Sequence, residues 1–132
     1  MVVADASAIV QACLSQADLD ALTALDLVAP PLLWSEVTSA LHELAWRRGI
    51  TKDLETMARD RFSRIRIASR RPGRLYEEAR RLADRFGWAK TYDAEYVALA
   101  RLLHCRLLTI DVKLVAATKN VIEAIGPGEL WL

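Results

Sequence analysis

Four carboxylates are the residues of this chain best placed for chemistry, because each stands where a short apolar run ends or a helical pattern begins. Asp5 follows Val2-Val3-Ala4, and Asp111 follows Leu107-Leu108-Thr109-Ile110. Asp93 lies in the opening turn of the helical stretch that begins at Thr91, and Glu36 near the start of another helix. Each has an ordinary structural role. Asp5 and Asp111 suit helix caps, and Asp93 and Glu36 suit the positive end of a helix, where a charge is worth roughly 0.3–1 kcal/mol. Gathered in one place they would be costly, since two like charges 4 Å apart repel by about 4 kcal/mol at an effective dielectric of 20. No lysine or arginine is placed by the sequence to neutralise all four. A hard cation that takes oxygen ligands, Mg²⁺ or Mn²⁺, is the natural partner of such a set. An ion of this kind lowers the pKa of bound water and stabilises charge on a phosphodiester.

The elements that must position these acids alternate. Val2 to Ala4, Leu27 to Ala29, Arg106 to Ile110 and Val121-Ile122 read as short buried strands. Asp5-Ala6-Ser7-Ala8 reads as a strand-to-helix turn. Asp18 to Leu25, Leu32 to Arg48, Leu75 to Phe86, Thr91 onward and Leu114 to Thr118 read as helices. Gly49 is expected to close the second of these and Gly87 the third. Leu33, Val37, Leu41, Leu44 and Ala45 share one face. Thr51 caps a further helix, whose Leu54, Met57, Ala58, Phe62 and Ile65 are expected to pack against that face. Arg71-Pro72-Gly73 reads as a turn and Gly126-Pro127-Gly128 as a loop, with Trp131 in the tail. Alternating strands and helices predict an α/β fold with a parallel sheet covered on both faces. Ligands of such sheets bind beyond the carboxyl ends of the strands. Fold logic therefore gathers the four acids on one side.

Composition bounds the remaining possibilities. The 132 residues fit one domain over 1–132, and 53% hydrophobic residues predict a packed core. Cys13 and Cys105 are too few for a disulfide framework or a zinc site, even with His104 adjacent, and suggest a cytoplasmic protein. No apolar run reaches the roughly 20 residues that cross a bilayer, so no membrane association is expected. Net charge is only +1, yet residues 59 to 74 hold seven arginines against one acid, Asp60. That block is either a phosphate-facing patch or a solvated helix face.

Four segments resemble the motifs of PIN domains. They are Val3-Ala4-Asp5-Ala6-Ser7-Ala8-Ile9-Val10, Leu33-Trp34-Ser35-Glu36-Val37-Thr38-Ser39-Ala40-Leu41, Tyr92-Asp93-Ala94-Glu95-Tyr96-Val97-Ala98-Leu99-Ala100 and Leu107-Leu108-Thr109-Ile110-Asp111. The likeness runs from residue 2 to about 122, and four motifs in order are specific where one is not. Within that family the chain resembles the VapC-type toxins of toxin–antitoxin modules. The resemblance implies a PIN-like three-layer sandwich whose parallel sheet of about five strands has the order 3-2-1-4-5. It implies an endoribonuclease dependent on Mg²⁺ or Mn²⁺, with Asp5, Glu36, Asp93 and Asp111 as metal-binding and catalytic positions. It also implies a homodimer, and neutralisation by a cognate VapB-type antitoxin.

Supporting roles fall to Ser7, Thr91 and Thr109, each able to hydrogen-bond a carboxylate, a metal-bound water or a phosphate. Lys90, Arg70, Arg71 and Arg74 are the candidate RNA contacts, while Trp34, Trp46 and Tyr96 read as core or interface residues. Other readings fit less of the chain. A receiver domain would show adjacent acids after the first strand, and an Asp-x-Asp phosphatase would need an acid where Ser7 stands. The alternatives that remain are a non-enzymatic PIN-like interaction module, a PIN nuclease outside a toxin–antitoxin pair, and DNA as the substrate, since backbone charge is read in both nucleic acids.

Overall fold

The computed structural model of the chain describes residues 1–126 and residue 128. Trp131 and Pro127 of the expected loop and tail lie outside them. Five parallel strands form one sheet in the order β3-β2-β1-β4-β5, as the resemblance implied. They are β1 (Val2–Ala4), β2 (Leu27–Ala29), β3 (Ile67–Ser69), β4 (Arg106–Leu108) and β5 (Ala124–Ile125). β1 is central, pairing Val3 with Val28 on one side and with Leu107 on the other. Every residue of β1 and β2 is buried, as strands covered by helices on both faces must be.

The helices are α1 (Ala6–Leu14), α2 (Gln16–Leu22), α3 (Leu32–Trp46), α4 (Lys52–Arg64), α5 (Leu75–Phe86), α6 (Tyr92–Leu103) and α7 (Val112–Thr118). Their boundaries follow local chemistry. The Ser15 and Thr51 side chains accept from Asp18 N and Leu54 N and so start α2 and α4. Gly87, at φ 72°, ends α5 in the left-handed conformation that a glycine adopts without a Cβ clash. Thr51→Ala should therefore lower stability by about 1 kcal/mol, the usual cost of a lost N-cap, measured by urea denaturation. An unchanged midpoint would mean that α4 is held by packing alone.

The structure departs from the sequence reading in several places. β3 falls between the helix face that ends at Ile65 and the turn at Arg71, in a stretch to which the sequence assigned no element. It is an edge strand, flanked by Arg66 and Arg70, with Ala68 and Ser69 exposed, so it carries no apolar signature. The last strand is Ala124–Ile125, because Val121 N and Ile122 N are spent on the Thr118 carbonyl at the end of α7. β4 stops at Leu108, before Thr109 turns away to its side-chain bonds. Arg48, not Gly49, takes the left-handed conformation after α3 (φ 59°). Gly49 instead lies tight against the helix end, where an added Cβ would come 3.3 Å from the Leu44 carbonyl oxygen. The helix α4 packs on α1 as well as α3. Only Ala58 of its expected apolar face is fully buried, Met57 is 48% exposed, and Arg61 donates to the Cys13 carbonyl at the end of α1.

Candidate active site

Strand order reverses around β1, the point where parallel α/β sheets open a crevice for ligands. Asp5 leaves β1 there, still joined to β4 through its backbone N–H on the Leu108 carbonyl (3.0 Å). Its buried carboxylate is fully engaged. Oδ1 accepts from Ser7 Oγ (2.7 Å) and Ala8 N (3.0 Å), and Oδ2 accepts from Thr109 Oγ1 (2.5 Å). Cap and candidate ligand are thus one group: the bond from Ala8 N starts α1, and the Thr109 hydroxyl ties the β1 end to the β4 end.

Asp111 follows β4 and caps α7 with Oδ1, which accepts from Lys113 N (3.0 Å) and Leu114 N (3.2 Å). Its Oδ2 has no hydrogen-bond partner among the described residues. Asp93 is the second residue of α6 and lies exposed at the rim of the crevice, with no hydrogen bond to its carboxylate among those residues. Glu36 sits near the start of α3 as expected, but in its second turn, past the first turn where a carboxylate meets the positive helix end, and is half-buried. Its Oε1 accepts from the Tyr96 hydroxyl (2.5 Å).

Burial and neighbouring like charges act on Asp5, Glu36 and Asp93 in the same direction. Burial is the main force raising the Asp5 carboxyl above the ordinary range, opposed by its three hydrogen bonds and helped by the charge of Asp93. Desolvation also raises Glu36, which feels Asp93 and Asp5, while the Tyr96 hydroxyl pulls it back down. Asp93 is raised by desolvation and then by Asp111. Glu95, to which the sequence assigned no role, lies beside Glu36. It is 8% exposed and raised by burial and by the charge of Glu36. Burial and the Glu36 carboxylate likewise push the Tyr96 hydroxyl well up. An acid and a phenol inside the otherwise apolar run Ala94 to Ala100 were the signal that could have found both.

An all-oxygen donor set with mutually raised carboxyls suits a hard divalent cation. Among the described residues no three acids converge on a common point at ligating distance. Asp93 and Asp111 Oδ2, which hold no protein hydrogen bond, are the donors open to an ion.

The other expected site residues divide. Ser7 and Thr109 belong to the Asp5 network, and their hydroxyls lie 3.2 Å apart. Thr91 precedes α6 without a side-chain capping bond and is exposed, as is Lys90. Of the arginine block, Arg61 is committed to α1, Arg64 pairs with Asp60 (3.2 Å), and Arg71 lies over the Tyr76 ring at 5.8 Å. Arg70 and Arg74 are exposed on the loop between β3 and α5.

The sequence profile of the PIN domain matches residues 3–124. The chain belongs to the PIN-domain family. Among curated relatives, this PIN domain is 34% identical over 115 residues to VapC ribonuclease Mb0985 of Mycobacterium bovis, a span of 86% of this chain and 88% of that one. Its identity to ribonuclease VapC9 of Mycobacterium tuberculosis is the same, 34% over 115 residues with the same coverage. Among solved structures it superposes on PAE2754 from Pyrobaculum aerophilum with a TM-score of 0.73 at 25% identity, covering 98% of this chain and 90% of that one. A PilT N-terminus domain protein, SSO1118 of Sulfolobus solfataricus, shares the fold at a TM-score of 0.53 and 20% identity, covering 98% and 88%. Among the described residues no helix is long and apolar enough to cross a membrane.

Proposed function

We propose that this PIN domain is an Mg²⁺- or Mn²⁺-dependent endoribonuclease and the toxin of a VapBC-type toxin–antitoxin pair. The observation that carries the reading is a PIN fold in which Asp5 and Asp111 follow the adjacent strands β1 and β4 at the switch point of the sheet, in a chain whose curated relatives are ribonucleases. Asp93 and Asp111, with Asp5 and Glu36, would hold the ion. When bound, the ion supplies a more acidic water and a counter-charge for the phosphodiester. The chain's own residues do the rest. Ser7 and Thr109 fix both oxygens of Asp5, and the α7 backbone fixes Asp111, so the acids face the crevice in set orientations. Burial at the end of β1 keeps bulk water from screening Asp5, while Asp93 and Asp111 stay open to solvent and to an incoming ion.

Incubation of the purified protein with total cellular RNA and Mg²⁺, with cut sites mapped by sequencing, tests the reading, and Asp5→Asn is the control. Specific cuts absent from the control are expected. RNA left intact under those conditions would favour a non-enzymatic interaction module. The partner is tested separately: co-expression of the small gene product encoded next door should abolish toxicity. The open cleft between α3 and α4, with Trp46 80% exposed at its edge, is the surface proposed for that antitoxin.

RNA must be held beside a site that repels it, and the loop arginines are the proposed hold. Each phosphate contact on a single strand contributes about −0.7 to the slope of log affinity against log salt. Removing Arg70, Arg71 and Arg74 together should weaken RNA binding and flatten that slope, with Mn²⁺ affinity unchanged. An unchanged slope would leave those arginines as a solvated surface.

A further inference from the structure

The helix α6 buries Ala94 to Ala100 without a break, and the Tyr96 hydroxyl is the one phenolic group in that run. A buried phenol needs an acceptor, and a phenylalanine would fill the same space without that demand. The acceptor is not a nearby backbone carbonyl. It is Glu36 Oε1, sixty residues away on α3. Tyr96 also lies three residues after Asp93, so both stand on one face of α6. The ring is 1% exposed, which leaves the hydroxyl no freedom to follow a wandering carboxylate.

We infer that Tyr96 is a positioning residue: its buried hydroxyl fixes the half-buried Glu36 carboxylate in register with Asp93 and so sets the geometry of the acid site. This rests on the nuclease reading above and adds to it a residue whose job is to hold a ligand-bearing side chain. Glu36 has no other protein donor among the described residues. Without the phenol it can turn toward solvent, away from the like charges of Asp93 and Asp5 that push it outward.

The test is a double-mutant cycle of Tyr96→Phe and Glu36→Gln, because coupling between the two isolates their shared interaction. Phenylalanine keeps the ring volume, so the core stays packed. Three quantities are read: Mn²⁺ affinity by calorimetry, kcat and KM on a short RNA, and the urea midpoint of the metal-free protein. Tyr96→Phe should weaken Mn²⁺ binding and lower kcat by about tenfold or more, the loss typical of outer-shell partners, with KM unchanged. In the Glu36→Gln background the same change should cost little further. Tyr96→Phe matching wild type in Mn²⁺ affinity and kcat overturns the inference while leaving the nuclease reading in place. A loss equally large in the Glu36→Gln background overturns it too, since Tyr96 would then act by packing. Wild-type protein that neither binds Mn²⁺ nor cuts RNA overturns both.

Discussion

An Asp93→Asn protein is expected to stay folded and to lose RNA cleavage by more than a hundredfold, since even outer-shell partners of a metal site cost about 10–100-fold. The contrast with a structural role is sharp. Asp93 caps nothing and accepts no hydrogen bond among the described residues, so as a helix-terminal charge it is worth roughly 0.3–1 kcal/mol. Against that stands its repulsion with Asp111, Asp5 and Glu36. In metal-free solution the variant should therefore unfold at a higher temperature than wild type. The pH dependence has a definite sign. Asp5, Glu36, Asp93 and Glu95 all have carboxyls raised in the fold, from ordinary values of 3.8 for aspartate and 4.5 for glutamate. The folded state then binds protons before the unfolded chain does, so metal-free stability rises as pH falls from neutral toward those ordinary values. Urea denaturation between neutral and mildly acidic pH in EDTA should show this gain, smaller in Asp93→Asn. A well-folded Asp93→Asn enzyme with wild-type rates would put the chemistry elsewhere on the molecule.

Removal of the metal should be as severe. Cleavage should vanish in excess EDTA and return with Mg²⁺ or Mn²⁺. The same ion should stabilise the fold, because a ligand that binds only the native state at a hundred times its Kd adds about 2.7 kcal/mol. That gain should shrink in Asp93→Asn and Asp111→Asn, which remove the carboxylates left open by the protein's own hydrogen bonds. A thermal midpoint that ignores Mn²⁺ while activity depends on it would place the ion on the RNA and not on these acids. Full cleavage in EDTA would remove the metal from the mechanism altogether.

The local grammar of the fold was readable along the chain. Short, mostly apolar runs ending in an acid marked β1 and the approach to Asp111, and Thr51 and Gly87 marked helix ends. These signals are short-range, set by caps, turns and burial within a few residues. The order of the strands came from family resemblance, since no residue pattern states which strand lies beside which. β3 was hidden because an edge strand is held by backbone bonds to β2, which its arginine-flanked sequence does not advertise. The arginine block looked uniform, and packing then divided it. Arg61 bonds α1, Arg64 pairs with Asp60, and Arg70 and Arg74 stay exposed. The site follows the same rule. Its acids could be named one at a time from strand ends and helix starts. The bonds from Thr109 to Asp5 and from Tyr96 to Glu36 span 104 and 60 residues. Such pairings exist only once the helices have packed on the sheet, because burial removes the water that would otherwise compete for each hydroxyl.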